Sequence, residues 1–298
     1  MFEFFANLFG YILKYLYEFV ANYGIAIILF TIVIKIILLP LSIKQHKTMK
    51  MSAKMKRKMD VLKVKYKNDQ EKMNKEIMEL YKSENMSPFS GCLTAIVQMI
   101  LVLSIFYMVR SPITYVKKIP AENIETYKTQ LQENGKEYNA TYPEMSLIKE
   151  YEFLKEKNPE DPYVEQLNMN MNFLGLDLNK VPQQNMADFT VYIIPALYIV
   201  SSFISIRMTT SMQEQSKSKE ASPVIDGSTG KELVVKEENE IDTMAQTNKM
   251  MSWMFPIMSI SIAFIAPLGL ALYWLMNNIL MIAERLLLNK FIKSEEEA

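Results

Sequence analysis

Lys35 is the residue of this 298-residue chain whose position most demands a chemical reason. It is the only charge between the ends of the apolar stretch Tyr23–Lys44. At about 1.5 Å per residue it lies roughly 18 Å from Tyr23 and roughly 13 Å from Lys44. That is too deep for an ordinary interfacial anchor. A lysine at the centre of a spanning helix costs on the order of 2.5–3.5 kcal/mol, so something must offset it. Thr31 and Ser42 share its helical face. A cation so placed attracts an anion. A carboxylate at about 4 Å, with an effective dielectric near 20, gains on the order of 4 kcal/mol before desolvation is counted. That is enough for a transient hold and too little for a permanent one. The plainer reading is that the lysine stem bends toward the interface and does nothing more.

Other apolar stretches carry polar residues in register. Thr94 and Gln98 are four apart, and Tyr198, Ser202, Ser205 and Thr209 recur at helical spacing. Tyr273 and Asn277 share a face of the last apolar run, with Glu284 and Arg285 near its end. Isolated Ser and Thr in such helices often bond back to the carbonyl four residues earlier. Turned inward together, the stripes would line a wet cavity containing Lys35. With no Asp or Glu in the middle of any run, Lys35 is expected to have no fixed counter-ion. The chain holds one cysteine, Cys92, and one histidine, His46. That excludes an internal disulfide and a metal site built from several His or Cys ligands. No carboxylate pair or nucleophile motif lies in a span, so no catalytic residue, metal or cofactor is expected.

These residues need elements to hold them. Half of the chain is apolar and its formal net charge is zero, but the charges are segregated between long apolar runs. That is the pattern of an all-α, polytopic membrane protein. Residues 1–22 are aromatic and interrupted by Glu3, Asn7, Lys14 and Glu18, as in a helix lying in the interface, with an extra span as the alternative. They have no basic start, no small-residue cleavage site and no cysteine for lipoprotein processing, so no secretory signal is read here. Five spans are predicted, over 23–43, 88–110, 189–211, 250–265 and 268–290. The last two are separated because the run is too long for one helix and Ala266-Pro267-Leu268-Gly269 breaks it. The connector 44–87 has 13 basic and five acidic residues between Lys44 and Lys82. Met51, Met55, Met59 and Leu62, then Met73, Ile77 and Leu80, mark two amphipathic helices turning at 66–69. Lys54, Met55, Lys56, Arg57, Lys58 and Met59 form its candidate contact surface, since Met suits varied apolar partners. An antiparallel coiled coil closed on itself is the plainer account. The connector 111–188 has 13 acidic and eight basic residues and reads as a folded extramembrane cap. Residues 212–249 read as a mobile loop and 291–298 as a tail.

Basic residues set the orientation. The connector 44–87 is expected in the cytoplasm and 111–188 outside. Arg207, Lys249, Lys290 and Lys293 put the remaining long loop and the C-terminus inside. The N-terminus is then outside.

Several stretches together resemble the YidC-type membrane protein insertases (the YidC/Oxa/Alb family). They are IKIILLPLSIKQ (34–45), SPFSGCLTAIVQM (87–99), NFLGLDL (172–178), MMSWMFPIM (250–258) and APLGLALYWLMNN (266–278). The resemblance covers about residues 20–110 and 170–290. It implies five helices around a hydrophilic groove, a cytoplasmic helical hairpin, and a bacterial plasma-membrane location. The form it resembles is the Gram-positive one, without the large periplasmic domain. It also implies insertion of nascent membrane proteins, alone or beside the Sec translocon and ribosome. Lys35 falls where the family has its groove cation, commonly Arg; Lys can lose its proton and gives no bidentate fork. Gln98 and Tyr273 fall on groove or core positions, and Thr94 replaces a common proline. The basic hairpin could also contact ribosomal RNA weakly, since clustered Lys and Arg attract phosphate. Membrane lipid is an expected partner and a small-molecule substrate is not. The alternative function is a small-anion transporter or channel using Lys35. Against it, five spans do not divide into inverted repeats.

Overall fold

The computed structural model describes residues 2–66, 69–84, 90–218, 224–225, 232–233 and 258–296, less the side chains of some residues within helices and strands. Helix α1 spans Phe2–Val20, α2 Tyr23–Lys65, α3 Gln70–Ser83 and α4 Ser90–Arg110. The connector carries α5 (Ala121–Glu133), α6 (Pro143–Lys149) and α7 (Tyr151–Lys157). Helix α8 is Ile193–Ser218, α9 covers 258–265 and α10 is Leu268–Glu296. The strands described are two-residue antiparallel ladders, β1 (Asn172–Phe173) with β2 (Leu176–Asp177), and β3 (Val224–Ile225) with β4 (Glu232–Leu233). Three helical stretches are long and apolar enough to cross a membrane: Tyr23–Thr48, Phe189–Met208 and Leu268–Leu288. The chain is all-α. Of the fourth predicted span only 258–265 is described, and 250–257 lies outside the described residues.

Two compact units are present. The first comprises Met1–Ile37, Gln98–Ile204 and Met254–Ala298; the second comprises Leu38–Val97 and Ser205–Trp253.

In the first unit, the spanning stretches are sided as lipid demands. Ile193, Leu197, Val200, Phe203 and Ile204 of α8 are exposed, whereas Tyr198, Ser201 and Ser202 are buried. Helix α2 exposes Ile25, Ile36 and Ile37 and buries Tyr23, Ala26, Ile27 and Phe30. Apolar residues face outward because lipid costs them nothing; polar ones turn inward to find partners. Burial is densest at the connector end of these helices, where Tyr23, Ile27, Phe30, Met108 and residues 268–275 are all buried. Farther along α10, residues 276–278 and 280–282 are half-buried.

The connector holds those ends together. The Tyr23 amide donates to the Asn170 carbonyl at 2.9 Å, and Asn22 Nδ2 donates to the Asn172 carbonyl at 2.7 Å. Asn22 Oδ1 accepts from the Ile25 amide at 3.1 Å, which caps α2. The first amides of α10 are satisfied by the same segment: Leu268 donates to the Lys180 carbonyl (3.0 Å) and Gly269 to the Leu178 carbonyl (3.2 Å). The NFLGLDL stretch therefore clasps the starts of α2 and α10. Its turn puts Leu174 at φ 52° and Gly175 at φ 81°. A leucine there is unusual for a hairpin, and its side chain is 86% exposed. Gly24 is needed for the close approach, because a Cβ on it would stand 2.6 Å from the Phe173 ring. Gly24→Ala is expected to destabilise the clasp by about 1–3 kcal/mol, the usual cost of overpacking. Thermal unfolding of the full chain in detergent checks this.

The connector is a folded body. Tyr127, Leu131, Leu147, Leu154 and Leu167 are fully buried between α5, α6, α7 and the short turn Val164–Leu167. Helical residues 144–157 divide into α6 and α7 at Glu150 and stop before Pro159. Arg110, at the end of α4, donates to the Thr141 carbonyl (2.8 Å) and stacks over Tyr142. A π-helical turn, Ile113–Lys117, packs on α1, where a Cβ on Gly10 would meet the Tyr115 carbonyl at 2.3 Å. The amides of Ile113 (2.6 Å) and Thr114 (3.1 Å) donate to Glu144 Oε2, and the Thr114 hydroxyl donates to Oε1 at 2.6 Å. Burial holds the Glu144 carboxyl above its ordinary range, against the pull of these donors. Opposite that contact, α1 exposes Phe4, Leu8, Tyr11, Tyr15 and Phe19.

In the second unit, α2 continues without a break through Pro40 to Lys65. The sequence separates a span ending at 43 from a hairpin helix beyond it; the structure makes them one helix. Good helix formers run from Leu41 to Lys65 with no glycine and no further proline to end it. Helix α3 starts at Asp69, whose side chain accepts from the Lys72 amide at 3.0 Å. Lys65 and Lys72 lie over the Tyr66 ring. Helix α8 likewise continues past the predicted end at 211 to Ser218, in the stretch read as a mobile loop. The β3–β4 ladder is the other described part of that stretch.

Candidate functional site

Lys35 is not alone. Its Nζ lies 3.5 Å from Glu284 Oε2 of α10, with the two side chains 24% and 14% exposed. This corrects the expectation that Lys35 has no fixed counter-ion. Counted along the chain, Glu284 sits near the end of its span and Lys35 near the middle. The lateral packing closes that gap. Gly269 of α10 lies beside Tyr23 and Ile27 of α2, so the two helices start at nearly the same level. Glu284 is then about 6 Å farther along than Lys35 by helical rise, within reach of a lysine stem.

The other predicted residues divide three ways. Thr31 is buried and its hydroxyl donates to the Ile27 carbonyl at 2.6 Å, the back-bond that sequence reasoning set against a lining role. Ser202 is buried and accepts from Asn278 Nδ2 at 2.8 Å, while Ser201 accepts from the same amide at 3.4 Å and donates to the Tyr198 carbonyl at 2.8 Å. The Tyr198 hydroxyl donates to Ser259 Oγ at 2.6 Å, and its ring stacks on Trp274. Helix α8 is thus joined to α10 through Asn278 and to α9 through Tyr198. Neighbouring Asn277 is half-buried and Tyr273 is buried. Sequence reasoning missed Asn278, Ser201, Ser259 and the pairing of Glu284. Asn278 and Ser201 each lie one residue from a residue it chose.

In the second unit, Ser42 is half-buried and Ser205 is buried. Met55 is buried, Met59 half-buried, and Lys58 pairs with Glu84. The side chains of Thr94, Gln98, Thr209, Lys54, Lys56 and Arg57 lie outside the described residues. Among the described residues, no group of three His, Cys, Asp or Glu is placed to hold a metal ion.

The arrangement offers charge attraction and hydrogen bonding, a binding chemistry. Comparison with known proteins adds its family. The family described as 60Kd inner membrane protein matches residues 15–296. The chain belongs to that family. A protein of Citrifermentans bemidjiense named Membrane protein insertase YidC is 26% identical over 280 residues, covering 94% of this chain and 36% of that protein. One of Pelobacter propionicus with the same name is 28% identical over 284 residues, covering 95% and 38%. One of Fusobacterium nucleatum subsp. nucleatum, again so named, is 42% identical over 106 residues, covering 36% and 49%. The chain thus spans little more than a third of the length of the first two. Family membership and the apolar helices make it a multi-pass bacterial membrane protein.

Proposed function

We propose that the chain is a membrane protein insertase that receives nascent membrane segments in a hydrophilic groove and releases their apolar part to lipid. The observation that carries this reading is Lys35: a partly exposed cation inside an apolar span, in a chain whose relatives bear the insertase name. In this reading the family's groove is represented by Lys35, Glu284, Asn277 and the network at Asn278. An acidic, hydrophilic tail enters it and pairs transiently with Lys35. The apolar segment then slides past outward-facing residues such as Leu197 and Phe203 into lipid, gaining roughly 25 cal/mol per Å² removed from water. A membrane potential positive outside favours outward movement of each acidic charge by about 2.3 kcal/mol per 100 mV. No bond is made or broken.

The topology in this reading has the N-terminus outside, the connector 111–188 outside, and the C-terminus in the cytoplasm. Helix α1 then lies in the outer interface on its aromatic face. The basic, methionine-lined hairpin of α2 and α3 is the cytoplasmic part that first meets the nascent segment. Its expected partners are the ribosome, with weak contact to ribosomal RNA, and the Sec translocon. The Lys35–Glu284 pair bears equally on a small anion and on an acidic tail; what favours the insertase reading is the name its relatives carry.

A photocrosslinker in place of Asn277, with one in place of Lys128 on the connector as control, tests the reading. A stalled nascent membrane segment should crosslink from 277 and not from 128. Equal yields from both would contradict it.

A further inference from the structure

Two properties of the Lys35–Glu284 pair leave room for an exchange of partners. Its separation is 3.5 Å, whereas charge-assisted ammonium–carboxylate bonds run about 2.7–2.9 Å. The two charges are in contact without a close bond. Both side chains also keep some exposure, 24% and 14%, so a third group can approach.

The partners are unequally placed. Glu284 is four residues before Leu288, the end of its apolar stretch, or about 6 Å by helical rise. Released from Lys35, its carboxylate can be hydrated near the membrane boundary. Lys35 is anchored about 6 Å farther from that boundary, by the common level of the two helices, although the charged ends meet. Being the deeper of the two, it loses more than Glu284 does when stripped of a partner. In any exchange, Glu284 is the group that leaves and Lys35 the one that needs a replacement.

We propose that Glu284 is a resident competitor: it holds Lys35 between substrates, gives way to an acidic residue of the arriving segment, and reclaims Lys35 so that the segment is let go. This rests on the insertase reading and adds to it the residue that makes capture reversible. An uncharged tail passes without disturbing the pair. An acidic tail swaps one carboxylate for another, so Lys35 is never stranded and the incoming acid is held against competition. Without Glu284, an acidic tail would be held by an uncontested cation.

The test uses the full chain in proteoliposomes and one single-span substrate with either an aspartate or an asparagine in its tail. Retention on the chain and protease-protected product are both measured. Glu284→Gln is expected to raise retention of the aspartate tail at least about fivefold, the lower end of ordinary coupling between competing groups. It should slow delivery of that substrate at least about fivefold more than delivery of the asparagine tail. Glu284→Asp should lie nearer the wild type than Glu284→Gln. In Lys35→Ala/Glu284→Gln the two tails should behave alike, which keeps the test informative if a lone charge perturbs folding. If Glu284→Gln slows both tails alike or leaves retention of the aspartate tail unchanged, Glu284 is not a competitor. A retention gain that persists in the double variant would show that it does not act through Lys35. Both results leave insertion by the wild type intact; failure of the wild type to insert either tail would instead remove the insertase reading itself.

Discussion

Lys35→Ala is expected to lower insertion of a single-span segment with an acidic tail by about tenfold or more. The charge attraction at stake is on the order of 4 kcal/mol at an effective dielectric near 20. Desolvation of the incoming carboxylate takes back part of it, and a net loss of about 1.4 kcal/mol is already tenfold. The substitution also leaves Glu284 facing the site without the lysine, so an acidic tail meets repulsion where it met attraction. A segment whose tail is uncharged should insert within about twofold of the wild type, and Lys35→Arg should keep most of the activity, since the charge remains. Protease protection of tagged segments in vesicles reads all three. Wild-type insertion of acidic tails by Lys35→Ala would end the capture role.

The second large effect is expected in the connector. Glu144→Ala strips the partners from the Ile113 amide, the Thr114 amide and the Thr114 hydroxyl. A buried group left unsatisfied costs about 1–3 kcal/mol, so three together should cost at least about 3 kcal/mol of local stability. The π-helical turn they hold is the one packed against α1, and both should loosen. Hydrogen exchange at residues 113–117 and proteolysis of the connector in the full chain measure this. Glu144→Gln keeps one carbonyl acceptor and should cost less.

Glu144 also predicts a pH dependence. Burial raises its carboxyl above the ordinary value, opposed by the Thr114 and Ile113 donors. Where a folded-state pKa is raised, the folded chain keeps a proton that the unfolded chain has lost. Stability from this group is then greatest below the ordinary carboxylate value and falls as pH rises through the interval up to the folded value. The Gln variant should lack that slope.

Lys35 was legible because one charge among apolar neighbours is visible without knowing the fold. Its partner was not, because Glu284 follows 249 residues later and linear spacing says nothing about which helices pack side by side. Reckoned from its own helix end, Glu284 looked interfacial; only the common level of α2 and α10 brings it within reach of the lysine. The polar contact between α8 and α10 was legible to within one residue. Asn277 lies four residues after Tyr273, which favours it by periodicity, yet a helix turns about 100° per residue and Asn278 makes the bonds. Thr31 followed the rule for solitary hydroxyls and bonded its own backbone. The connector read as a folded extramembrane cap, but nothing in the sequence marked Glu144, among its 13 acidic residues, as the buried one. The NFLGLDL stretch was noticed through resemblance, but its work as a clasp follows from Gly24 and Phe173 in contact.

The most direct test of insertion by this chain needs nothing but the chain, lipid and one substrate. Purified full-length protein in liposomes is given a single-span segment with an acidic tail, and protection of the tail from external protease is followed. Protection above that of protein-free liposomes, reduced about tenfold or more by Lys35→Ala, is the predicted result. Protection equal to that of protein-free liposomes, or a small-anion flux in place of tail protection, would contradict it.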